Sequence, residues 1–269
     1  MGDHKIQKVP INKTPALACK LGDIRFSPKT VKPLGGLNPY SEQFDTIGHQ
    51  FLQILIQHAN LQKATRLLDI GCGTGRLTKQ LIQFGLRSTY TGIDNNRYFI
   101  DYCEANYDTQ FKHIDVNHDE YNPSGTIDPC AVTLPVNDQS IDLVICLGLF
   151  NHFHWEWTEH YLSEISRVLA PRGVLFSTFI LLNDYTVDQI NNKMTDRPFQ
   201  FNTRKDNNWY EFDDRPLLNV ALNEVTLRRS LLAKKLIIKE PVRYGQWCNS
   251  NNPLSGHDIL IAKKNGWGF

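Results

Sequence analysis

Apolar residues recur at helical spacing from Tyr40 to Asn60, where Phe44, Ile47, Phe51, Ile54 and Leu55 share one face, and this predicts an amphipathic helix leading to the first strand, placed over one end of a sheet. Beyond it, strand-like apolar runs alternate with helical patterns. Strands are expected over 66–70, 89–94 and 111–114, and helices over 75–84 and 97–107. The run "IDLVICL" at 141–147 is nearly all apolar, as in a strand covered on both faces. Leu162, Ile165, Val168 and Leu169 then mark a helix, with Thr158 as its N-cap and "APRG" as its closing turn. "GVLFSTFI" from Gly173 is the fifth strand. Such alternation predicts parallel strands with right-handed crossovers. Residues 182–216 are polar, aromatic and weakly periodic, which suggests a lid or binding loop. A helix near 223–233 follows, and "KLIIKEPVRY" and "HDILIAKK" read as strands pairing antiparallel at one edge.

Residues 1–39 are rich in Pro, Gly and Lys with little periodicity, and read as a basic, solvated, loosely ordered arm before one domain spanning 40–269. The chain of 269 residues is long enough for a substantial single core. Lys plus Arg number 29 against 28 for Asp plus Glu, so no general field draws the protein to nucleic acid or an anionic membrane. The six cysteines form no C-x-x-C pair and read as free thiols of a reducing compartment. No apolar run reaches the roughly 18 residues of a membrane span, and the N-terminus lacks an apolar signal core. The expectation is a soluble cytoplasmic protein whose oligomeric state, monomer or homodimer, stays open.

Candidate chemistry centres on "LLDIGCGTGRLTKQL" at 67–81. In an open α/β sheet, ligands bind beyond the carboxyl ends of the strands, and the first strand's loop lies there. Glycines allow positive φ and bring bare main chain close to a ligand. A dinucleotide-binding fingerprint would need a glycine where Arg76 stands, and no phosphate-binding G-x-x-x-x-G-K-[ST] string occurs. What remains is D-x-G-x-G-x-G followed, at the end of the second strand, by Asp94, whose carboxylate can accept both hydroxyl protons of a ribose.

"LLDIGCGTGR" followed by "YTGID" resembles the first two motifs of the class I S-adenosylmethionine-dependent methyltransferases, over roughly residues 40–264. The resemblance implies a Rossmann-like α/β fold with a seven-stranded sheet in the order 3-2-1-4-5-7-6, an N-terminal helical cap at 40–60 and a lid insertion at 182–216. It implies S-adenosylmethionine as cofactor, with Asp69 orienting the methionine ammonium, Gly71, Cys72, Gly73 and Gly75 lining methionine and ribose, and Asp94 and Asn95 at the ribose. Arg76 either reaches the methionine carboxylate or is solvated or paired with a surface acid. "HIDVN" resembles the next motif and puts Asp115 near the adenine amino group and Val116 against the ring; in "CLGLFNHF", Leu147 and Gly148 pass the cofactor. The 117–132 insertion with its YNP-G loop and the C-terminal "YGQW…HDILIAKK" resemble a bacterial branch of small-molecule methyltransferases.

Methyl transfer is an in-line displacement on an already activated sulfonium, so alignment and water exclusion dominate, worth roughly 7–11 kcal/mol. A base adds about 10²- to 10⁴-fold for a hydroxyl or protonated amine. "NHFHWEW" at 151–157 offers His152, the first choice, and His154; their spacing puts them on opposite sides of an extended segment. Asn151, Trp155, Tyr40 and the lid aromatics Tyr185, Trp209 and Tyr210 form the candidate acceptor-binding set. No metal is expected, because Cys146 and Leu147 stand where metal-dependent relatives carry an acid. "YNPSG" at 121–125 differs from the N/D-P-P-Y motif of amino-methylating enzymes, which weakly favours oxygen over nitrogen as the acceptor. The alternatives are N-methylation of a small molecule or peptide, methylation of RNA, and a protein that binds the cofactor without turnover.

Overall fold

The computed structural model describes residues 38–39, 41–205 and 207–266. Tyr40 and nearly all of the basic arm lie outside the described residues. The first helix, α1 (Glu42–His58), is followed by β1 (Leu67–Ile70), α2 (Arg76–Phe84), β2 (Tyr90–Asp94), α3 (Arg97–Asn106), β3 (Gln110–His113), β4 (Ile141–Cys146), α4 (Trp155–Val168) and β5 (Leu169–Phe179). The chain ends with α6 (Glu224–Ala233), β10 (Leu236–Ile238) and β11 (Asp258–Lys264). The main sheet has the order β10-β11-β5-β4-β1-β2-β3, which counted along its own seven strands is 3-2-1-4-5-7-6, as expected. Strands β1 to β5 run parallel, and β11 lies antiparallel between β5 and β10.

Strand alternation divides the core between the two faces of this sheet. On one face, Leu68, Ile70, Ile93, Val144 and Phe179 pack with Leu162, Ile165 and Val168 of α4 and Leu227 and Leu231 of α6. On the other, Leu67, Leu143, Ile145, Phe176 and Ile259 meet Leu52 and Leu55 of α1 and Leu77 and Leu81 of α2. Helix α1 therefore lies along a face beside α2 instead of over an end. Gly48 permits this approach, since a Cβ there would collide with the Arg76 carbonyl.

Two other boundaries differ from the sequence reading. Helix α4 begins a turn early, with His154 as N-cap, and the Thr158 hydroxyl donates back to the His154 carbonyl from inside that turn. "APRG" is an irregularity within β5: pairing with β4 jumps from Ile141–Leu169 to Leu143–Val174, and Arg172 takes φ 65°. Leu169 is buried and already paired, so the strand starts before the turn residues.

The largest departure is the 182–216 segment, which is folded and not a loop. Strand β5 continues through Ile180 into β6 (Leu181–Leu182); α5 (Asp184–Asn191), β7 (Thr203–Lys205), β8 (Asn208–Tyr210) and β9 (Val220–Asn223) follow. These strands make a second sheet, β6-β9-β8-β7, over a small core of Ile180, Leu182, Phe199, Phe201 and Trp247. Strands of two to four residues leave no readable period, and burial of their aromatic side chains holds them.

Candidate functional site

A cavity of about 350 Å³ opens beyond the carboxyl ends of β1 to β4, at the low end of the range for small-ligand sites. Gly71 and Gly73 from the first loop and Gly148 after β4 border it with φ of 76°, 56° and 64°, a region only glycine enters freely. Asp94, at the end of β2, accepts from Gly73 N at 2.9 Å and Asn96 N at 2.8 Å, so the acid itself sets the shape of the glycine loop. Burial pushes the Asp94 carboxyl up to about 6, against the pull of those amides. Cys103 supports the loop from below, donating to Gly73 O at 3.3 Å.

Of the expected cofactor residues, Gly71, Gly73, Arg76, Asp94, Asn95, Val116, Leu147 and Gly148 border the cavity. Arg76 is largely enclosed, and burial lowers its basicity while the nearby Asp69 raises it. Asp69 itself is fully buried behind the wall, where it accepts from the Tyr90 hydroxyl at 3.0 Å, and burial pushes it up to about 7. Three expectations are corrected. Gly75 does not border the cavity; it faces Tyr107, whose ring a Cβ would strike. The Cys72 thiol is buried beside Cys103. Asp115 turns into its own loop, accepting from Asn122 Nδ2 at 3.0 Å and Thr126 Oγ1 at 2.7 Å, which hold it below the usual carboxylate range.

At the other end, His152 and Asn151 border the cavity while His154 and Trp155 do not. The His154 ring is held at 2.9 Å by the Tyr210 hydroxyl, so Tyr210 is a buttress and not a cavity residue. Trp209 packs in the second sheet under the Arg204 guanidinium, and Tyr185 is exposed, donating to the carbonyls of Cys248 and Asn249. The second sheet reaches the loop after β4 through further polar contacts: His152 Nδ1 donates to Leu217 O at 2.9 Å, and Asn208 Nδ2 donates to Phe153 O at 2.9 Å. With Nδ1 protonated, the neutral His152 ring carries its lone pair on Nε2, which receives Asn151 Nδ2 at 3.0 Å and the Tyr121 hydroxyl at 3.3 Å. Burial lowers the basicity of His152.

Sequence reasoning missed His118, Tyr121, Trp157 and His257, which also border the cavity. His118 is saturated, donating from Nε2 to His152 O at 2.9 Å and accepting Glu120 N on Nδ1 at 3.1 Å; burial pushes it down to about 4. Tyr121 stands in the "YNPSG" string, where the only available signal was its aromatic character. An ion pair from Glu120 to Arg215 ties this loop to the second sheet's segment. Among the described residues, no group of three His, Cys, Asp or Glu is placed to hold a metal ion, and no helix is long and apolar enough to cross a membrane.

Residues 68–177 match the family model for a methyltransferase domain. An uncharacterized methyltransferase of Schizosaccharomyces pombe is 27% identical over 126 residues, covering 47% of this chain and 43% of that protein. The chain thus spans less than half the length of that curated relative. Among solved structures, an S-adenosylmethionine-dependent methyltransferase of Methanosarcina mazei superposes with a TM-score of 0.53 at 19% identity, over 78% of this chain and 97% of that one. A Burkholderia thailandensis 1,6-didemethyltoxoflavin N1-methyltransferase, solved with that compound and S-adenosylhomocysteine, superposes with a TM-score of 0.50 at 14% identity, over 88% and 81%. The chain thus shares the Rossmann-like fold of solved S-adenosylmethionine-dependent methyltransferases, and its match to a methyltransferase domain covers residues 68–177.

Proposed function

We propose that this protein transfers a methyl group from S-adenosylmethionine to a small-molecule acceptor, to oxygen in preference to nitrogen. The observation that carries the reading is the convergence of bare main chain at Gly71 and Gly73 with the Asp94 carboxylate around one cavity. The residues fit the cofactor. A Cβ at Gly71 would lie 3.2 Å from Leu149, crowding the wall, and Asp94 keeps lone pairs beyond its two amide bonds for a ribose diol. Arg76 would meet the amino-acid tail. When bound, the sulfonium supplies an activated methyl group. The chain's own part is to align the acceptor, exclude water and take a proton where the acceptor is a hydroxyl. Two imidazoles, His152 and His257, border the cavity where that proton would go.

A small cavity and a net charge of +1 support a small molecule over nucleic acid or a membrane as partner. The second sheet would serve as the wall that the lid was expected to be, the YNP-G loop supports grouping with the bacterial small-molecule branch, and five free thiols among the described residues suit the cytoplasm. The test combines calorimetry with S-adenosylmethionine and incubation of the radiolabelled donor with extracts split into small-molecule, protein and RNA fractions. Label in the small-molecule fraction is expected. Label in the other fractions alone refutes the acceptor class, and tight binding without any transfer leaves a cofactor-binding protein.

A further inference from the structure

The two imidazoles on the cavity wall have different surroundings. Both nitrogens of His152 are engaged: Nδ1 is spent on the Leu217 carbonyl, and the Nε2 lone pair receives Tyr121 and Asn151. The ring of His257 makes no hydrogen bond to any described residue, although the main chain carrying it is tightly fixed. Its neighbour Asp258 is fully buried and accepts from Leu181 N at 2.8 Å, Gly245 N at 2.7 Å and Trp247 Nε1 at 2.8 Å. Because β11 runs antiparallel to β5, with Asp258 opposite Phe179, this clamp delivers His257 to the same sheet edge as the loop after β4.

A second polar group there also lacks a partner. Asn151 is 4% exposed, its Nδ2 serves His152, and its Oδ1 has no donor among the described residues. Buried polar groups are almost always paired, and one that is not calls for an explanation, here a ligand. The wall also limits what the ligand can be. Among the described residues, Arg76 and Asp94 are the only Asp, Glu, Lys or Arg side chains bordering the cavity and belong to the cofactor end, while Tyr121, Phe153 and Trp157 contribute rings elsewhere.

Resting on the methyl-transfer reading above, we infer that His257 accepts the proton of an acceptor hydroxyl while Asn151 Oδ1 receives a second donor of the same molecule, an uncharged aromatic ring bearing that hydroxyl and another O–H or N–H. His152 is then a positioning residue: it holds the Asn151 amide so that Oδ1 is left for the ligand. The step balances. The hydroxyl oxygen forms the new bond to the methyl carbon, the sulfur–methyl bond breaks with its electron pair left on sulfur, and the hydroxyl proton passes to the His257 lone pair. The positive charge that began on sulfur ends as imidazolium. Burial above all, with the Arg197 charge acting in the same direction, pushes His257 down to about 4, so its lone pair is available. Until the methyl group arrives, the phenolate left by the proton is the counter-charge that stabilises the protonated ring; once the neutral ether has formed, the imidazolium returns its proton to solvent.

The test uses the full chain saturated with S-adenosylhomocysteine and 4-nitrocatechol as probe, at a pH where the free probe is mostly un-ionised. Absorbance reads the bound phenolate directly, without turnover. Wild type is expected to bind the probe and show the phenolate band, His257→Asn to lose it by about tenfold or more, and His152→Asn to keep it. Asn151→Ala should weaken probe binding about tenfold, as for one hydrogen bond, with the band retained. His257→Gln repeats the measurement should His257→Asn fail to fold, and either variant qualifies once calorimetry shows wild-type affinity for S-adenosylhomocysteine. An unchanged band in the His257 variant, its loss in His152→Asn, or no probe binding by the saturated wild type overturns the inference. Failure of wild type to bind S-adenosylhomocysteine at all overturns instead the reading beneath it.

Discussion

Truncating Asp94 to Ala tests the cofactor site at the residue on which its geometry turns. The carboxylate accepts amides from Gly73 and Asn96, and in the proposed complex it would also take the hydroxyl protons of a ribose. A hydrogen bond to a charged group contributes about 1.5–3 kcal/mol, so losing even one such bond lowers affinity about 10- to 150-fold. The pH profile separates this role from general damage to the loop. Burial holds the Asp94 carboxyl near 6, and hydroxyl donors bind its ionised form. Affinity is therefore full above about pH 6 and lost as pH falls through it, by up to about tenfold per unit. Calorimetry of S-adenosylhomocysteine binding between about pH 5 and 8 reads both effects. Asp69, pushed up to about 7 by burial with the Asp94 charge adding to it, titrates in the same window, so the profile of an Asp69→Asn variant separates the two contributions. An Asp94→Ala variant within twofold of wild type, or a wild-type profile no steeper than that variant's, would refute the ribose role.

Gly75→Ala should destabilise the fold by about 2 kcal/mol or more, because the position combines φ 79° with a Cβ path into Tyr107; a denaturant melt with wild-type affinity unchanged until the fold is lost would separate it from its cavity-lining neighbours. Asp258→Asn turns an amide NH₂ toward backbone or indole N–H donors and should cost about 3 kcal/mol, seen as a Tm lower by about 6–12 °C; an unchanged Tm would mean that the three bonds do not hold the sheet junction.

The sequence disclosed the parts of the site that follow directly from strand ends. Gly71, Gly73, Asp94, Asn95, Val116 and Gly148 each stand within a few residues of a strand whose apolar run was plain, and parallel order carries all of them to one edge. Asp115 turns away from the cavity for a local reason: Asn122 and Thr126 of its own loop offer it donors, and side chains that can bond their own loop do so. His257 was invisible because its place depends on β11 entering between β5 and β10, an arrangement that gives "HDILIAKK" no pattern of its own beyond a strand. The 182–216 aromatics suggested cavity contact that the folded segment does not give them. Tyr210 and Trp209 are consumed in building the second sheet, and what that sheet offers the loop after β4 includes main-chain oxygen as well as side chains.

The hold of Leu217 on His152 has a consequence for variation among homologues. A carbonyl is the same whatever residue carries it, so replacing Leu217 by another side chain leaves that oxygen on offer. Inserting or deleting a residue between β8 and β9 would instead carry the oxygen away and let the imidazole turn. Selectivity in this lineage would then drift through changes in segment length, and a search for acceptor-determining positions by aligned residue identity alone would pass over the place where they arise.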